Sequence, residues 1–153
     1  MAGFTNRGKY RLLEWLFRGG TLPTNYYAAL VTDAVAPSAD INTFSQLTEI
    51  AAGNGYTSGG MSLTPGETDF DTHTEDDAED EAYVILKDLT WTADGGSIPD
   101  SGDGARYIVL LDDNVVVADR EVLAWADLGG DITVADGQSI TSVDWQFTLQ
   151  EGA

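Results

Sequence analysis

The single histidine, His73, stands in the one stretch where side-chain types and spacing suggest chemistry. It lies in Glu67–Glu81, a run of fifteen residues that holds nine acids. Asp69, Asp71, His73 and Glu75 alternate, so an extended segment carries all four on one face. Carboxylates beside an imidazole are a cation-binding combination. No second histidine exists to complete a familiar imidazole site. Like charges this dense also repel, which suits a solvated loop or sheet edge equally well. Asp94-Gly-Gly, Asp100-Ser-Gly-Asp103 and Asp112-Asp-Asn114 offer further oxygen ligands. None has the alternating acids and terminal glutamate of a specific calcium loop. Asp and Asn bonding their own backbone in turns account for all three.

Nucleophilic chemistry finds little footing. A serine or threonine nucleophile needs a positioned base, and His73 sits in the acidic run without a nucleophile-elbow motif. Carboxylate pairs for glycoside hydrolysis are too easily drawn from 26 acids to single out any one. The glycine-rich Ala51–Gly60 has no lysine and no strand-to-helix context, so it reads as turn or loop and not as a phosphate cradle. The chain has no cysteine, which removes disulfides, thiolate zinc sites and cysteine nucleophiles. The expectation is a protein that is not an enzyme, with no catalytic residue, cofactor or metal ligand assigned. Trp91, Trp125 and Trp145 fall in apolar strands and read as core, whereas Trp15 suits core or interface.

The chain has 153 residues, and 42% are apolar, with four Trp, six Tyr and five Phe. That is too apolar and aromatic for a disordered acidic tail, and the size suits one domain with a real core. Seven basic against 26 acidic residues give a net charge of −19, which repels a phosphate backbone and argues against nucleic acid. No run has the length of a membrane span and no basic-then-apolar leader opens the chain, so no membrane is expected. The charge is polarised. Arg7, Lys9, Arg11 and Arg18 against Glu14 leave residues 1–18 at +3, and the remainder carries −22. A basic head on an acidic body points to head-to-neighbour contact in an assembly.

Residues 8–18 form the one good helical pattern, with Leu12, Leu13, Trp15, Leu16 and Phe17 apolar and Asn6 as a plausible N-cap. Gly19-Gly20 ends it. Its apolar face must pack on its own domain or on a neighbouring subunit. Strands are expected over 25–32, 61–64, 83–86 and 89–92, the last with Leu89 and Trp91 facing one way. Another spans 106–111, read as central because it lacks alternation. Further strands are expected over 115–118, over 122–126 with a break at Leu128–Gly130, and over 132–135 before the Asp136-Gly137 turn. The last, 142–150, aligns Val143, Trp145, Phe147 and Leu149. Residues 43–50 favour a short helical turn. The fold class is therefore all-β, a sandwich, jelly-roll-like or partly open barrel with one short N-terminal helix. Residues 1–20 read as an arm and helix, packed on or swapped between subunits. Residues 21–153 read as a single β domain bearing the acidic loop 67–81.

Several stretches in order carry a resemblance: Tyr10–Gly19, Tyr26–Thr32, Gly53–Tyr56, Leu89–Gly96, Val122–Gly130 and Ile132–Gly137. Together they resemble small virion structural proteins of tailed bacteriophages, often labelled tail-fibre-like and in some viruses serving as capsid cement or decoration proteins. These motifs are structural, and no active-site residue is carried over. The resemblance implies an all-β homotrimer on the capsid exterior that bridges major capsid proteins. The alternative is a tail, baseplate or fibre component for host attachment. The acidic stretch 67–81 departs from the shorter, less charged insert of such proteins. With the basic head as the docking end, the expected contact set is Phe4, Arg7, Lys9, Tyr10, Arg11, Trp15 and Arg18. Removing residues 1–10 is then expected to abolish capsid binding and leave the β domain folded.

Overall fold

A computed structural model describes residues 2–150 and shows an all-β chain with one N-terminal helix. Ten strands make three antiparallel sheets. The largest contains β1 (Ala2–Phe4), β8 (Val122–Ile132), β7 (Ala105–Leu111), β2 (Tyr26–Val31) and β3 (Met61–Leu63), in that order. A second pairs β10 (Gln146–Gln150) with β5 (Glu81–Ile85) and β5 with β4 (Thr72–Asp76). The third joins β6 (Leu89–Thr92) to β9 (Ser139–Ser142). Each sheet has two distinct ends, so none closes into a barrel. The helix, α1, spans Asn6–Phe17 between β1 and β2.

The missing alternation in β7 has a direct cause: the large sheet is buried on both faces. Ala28, Leu30, Ile108 and Leu110 enter the main core with Trp91, Trp145 and Phe147. Ala29, Val31, Val109 and Leu111 point the other way, into a smaller core closed by Ile41, Phe44 and Leu47. The expected helical turn supplies that cover, a 3-10 turn at Phe44–Gln46 capped at Thr43. Burial on two faces is what makes a strand read as a continuous apolar run. In β6, with one face inward, Leu89 and Trp91 are buried and Thr90 and Thr92 exposed, as the alternation required.

Several expectations are corrected. The segment 115–118 is not a strand. Val115 is 94% exposed, and Val117–Asp119 is a 3-10 turn. Leu128–Gly130 does not end β8, which continues to Ile132. The register against β7 slips there instead, from Tyr107↔Asp127 to Ala105↔Ile132. Residues 142–150 are not one strand. Asp144 adopts φ +47 and separates β9, which pairs with β6, from β10, which pairs with β5. Trp145 and Phe147 are buried, but Val143 and Leu149 are exposed. The acidic run is loop only in part. Its middle is β4, an edge strand hydrogen-bonded to β5, and a turn through Asp80 joins the two. The N-cap of α1 is Thr5, one residue before the expected Asn6. The N-terminal arm, expected to be packed on or swapped between subunits, packs within the chain here, where Gly3 and Phe4 pair with Trp125 and Ala124 of β8.

Candidate interaction surface on the N-terminal helix

Three devices hold α1 on the body. The first is Thr5, fully buried, whose hydroxyl donates 2.5 Å to the Val122 carbonyl and accepts 2.9 Å from the Gly8 N–H. One side chain thus caps the helix and ties it to β8. The second is Gly8, the buried residue of the helix, where any Cβ would collide with the Leu123 backbone carbonyl. Only glycine lets the helix approach the strand this closely. The third is Glu121, the residue just before β8. Its carboxylate accepts from Arg11 Nε at 2.5 Å and Arg11 Nη2 at 2.8 Å, and also pairs with Arg7. Arg11 reaches Glu14 as well. Burial pushes the Glu121 carboxyl up, but the hydrogen bonds from Arg11 and Arg7 outweigh it and hold the group below its ordinary range. The same bonds raise Arg11 above its ordinary value. The C-terminus closes where Gly19 adopts φ +67 and Gly20 N–H bonds the Glu14 carbonyl at 3.2 Å.

This seating divides the expected contact set. Phe4 and Trp15 are partly buried against the main core, and the Phe4 ring lies 5.6 Å from that of Phe147. Arg7 and Arg11 are bound to Glu121 within the chain. Lys9, Tyr10 and Arg18 remain exposed. Three apolar residues outside that set join them: Leu13, Leu16 and Phe17 are 59%, 74% and 70% exposed. Tyr10, Leu13 and Phe17 line a shallow hollow of about 530 Å³ with Glu14 and Arg18. Ten large apolar side chains are exposed among the described residues, and five of them fall in residues 10–22. Packing on its own domain therefore holds for part of the apolar face. One side packs on its own domain, and the other faces solvent.

Beneath the packed side lies an apolar cavity of about 250 Å³ bordered by Phe4, Leu12, Trp15, Phe70 and Phe147. The chain's seven cations are largely committed elsewhere. Lys87 pairs with Asp69, and Arg106 holds Asp127 at 2.9 Å. Arg120 is buried, bonds the Gly59 and Asn114 carbonyls and stacks 3.5 Å over the Tyr27 ring. Among the described residues, Lys9 and Arg18 are the two exposed cations without an ion pair. They stand near the two ends of the exposed helix face.

The acidic run does not assemble the expected four-residue face. Asp71, His73 and Glu75 are exposed on one side of the chain, but Asp69 is buried and bound to Lys87 and to the Thr64 N–H. No group of three or more candidate ligands converges among the described residues. Asp112 accepts from the Glu121 and Asn114 N–H groups, the turn role expected of it. Neither family models, curated proteins nor solved structures give a match to this chain.

Proposed function

We propose that the chain is a structural virion protein, an exterior capsid decoration protein that bridges and stabilises the major capsid protein, with its N-terminal helix as the surface through which it assembles. The observation that carries this reading is the solvent-facing apolar side of α1. Tyr10, Leu13, Leu16 and Phe17 are each more than half exposed on a helix that is itself firmly anchored. Covering an exposed leucine or phenylalanine is worth roughly 1.5–3 kcal/mol before the cost of association. A shell repeats each such contact by symmetry, so a modest interface per copy suffices. Lys9 and Arg18 add positive charge to an otherwise acidic surface and orient the helix toward an acidic neighbour. The working surface is thus Lys9, Tyr10, Leu13, Leu16, Phe17 and Arg18, with Arg7, Arg11, Phe4 and Trp15 holding it in place.

The test is electron cryomicroscopy of particles assembled with the wild-type chain or with the triple variant Leu13→Gln, Leu16→Gln, Phe17→Gln. Glutamine keeps good helix propensity while removing the apolar face. Wild-type density over the head exterior and its loss in the variant support the proposal. Density confined to the tail supports the fibre or baseplate alternative and overturns the capsid assignment.

A further inference from the structure

We propose that the occupant of the exposed helix face is a second copy of this chain, which docks its acidic β4–β5 hairpin there. The inference rests on the reading of α1 as a docking surface and names what covers it. Charge complementarity carries the argument. The two exposed, unpaired cations among the described residues, Lys9 on α1 and Arg18 at its C-cap, both lie beside the bare apolar side of the helix. The hairpin presents the opposite composition. Glu75, Asp76, Asp77, Asp80 and Glu81 line an open groove of about 680 Å³ together with Leu149, which is 56% exposed.

None of those five carboxylates forms an ion pair among the described residues. Local geometry binds only part of the cluster. Asp76 caps the turn by accepting from the Ala78 and Glu79 N–H groups, and Glu81 accepts from Gln150. Glu75 and Asp77 are exposed and free to meet a cation. A helix carrying Leu13 and Phe17 between two cations matches a groove carrying Leu149 among carboxylates. The surfaces differ from each other, so the contact is heterologous. It propagates head to hairpin and closes as a ring if the rotation permits. Two bodies of −19 repel at long range, so association needs enough salt to screen that repulsion, while high salt weakens the local pairs.

Sedimentation velocity of the isolated full chain over a concentration series tests this without any capsid. The wild type self-associates. Lys9→Glu with Arg18→Glu, and separately Glu75→Lys with Asp77→Lys, each weaken association by about fivefold or more. An equimolar mixture of the two double variants recovers it, because the native helix of the hairpin variant then meets the native hairpin of the helix variant. All four positions are exposed, and circular dichroism with a thermal melt verifies the fold of each variant. A wild type that stays monomeric, charge variants that associate like it, or a mixture that fails to recover would each overturn the inference. The assembly proposal fails separately. A monomeric chain that still decorates heads through α1 keeps that function with another occupant. A self-associating chain absent from particles keeps the head-to-hairpin contact and loses the virion role.

Discussion

Glu121 and Gly8 look unremarkable in the sequence, yet they set the position of the helix. Replacing Glu121 with Gln leaves two guanidinium groups without their shared carboxylate, and the expected loss is about 1–2 kcal/mol by urea titration. The pH dependence has a defined sign. Because the folded-state pKa of Glu121 is lowered, its stabilisation is complete above the unfolded-state value and disappears as pH falls through the folded one. Asp69 is also lowered: burial raises it, and Lys87 with the Thr64 N–H more than compensates. Asp112 opposes them, since burial raises its pKa and ionising it therefore costs stability. The difference between wild type and Glu121→Gln should thus shrink as pH is lowered through the acid limb. A difference that stays constant from neutral pH to acid would contradict the assignment. Gly8→Ala pushes a methyl into the Leu123 carbonyl, and the expected cost is about 1–3 kcal/mol. An alanine variant as stable as the wild type would show that the helix tolerates a looser seat.

At the scale of the element, the helix is a two-sided object. Its packed side uses Gly8, Leu12 and Trp15, and its open side uses Tyr10, Leu13, Leu16 and Phe17. The triple glutamine variant should therefore melt close to the wild type, since exposed substitutions shift stability by only about 0.5 kcal/mol each. A large drop in melting temperature would mean that the face is covered within the chain. This two-sidedness was readable in advance. At roughly 100° per residue, Leu12, Leu13, Trp15, Leu16 and Phe17 spread over about 200° of the helix, wider than a single packing seam. The partnership of Arg7 and Arg11 with Glu121 was not readable, because it joins positions more than a hundred residues apart with no local pattern. Local alternation identified β6 and the lack of it identified β7 as central. Alternation across Asp144 misled, because a single left-handed residue sends the chain from one sheet to another. The Gly129-Gly130 pair signalled a real irregularity. Its form, a register slip within a continuing strand, depends on the pairing with β7 that sequence alone does not reveal.

Across the whole molecule, net charge of −19 resolves, among the described residues, into a helix flanked by two unpaired cations and a hairpin whose groove carboxylates form no ion pair. The N-terminal segment, the proposed docking end, is also part of the body. Deleting residues 1–10 removes β1, the Thr5 cap and Gly8, so the truncated chain should lose cooperative melting, contrary to the expectation of an independently folded β domain. A truncated chain that melts like the wild type would show that this segment adds little to the fold. Point substitutions on the helix face are consequently the means of separating docking from folding. The role proposed for this face is assembly of the protein onto a capsid exterior. Electron cryomicroscopy of particles compares the wild type with Leu13→Gln, Leu16→Gln, Phe17→Gln most directly. Wild-type density is expected across the head surface and none from the folded variant. Equal occupancy by the two chains, or wild-type density absent from the head, would contradict it.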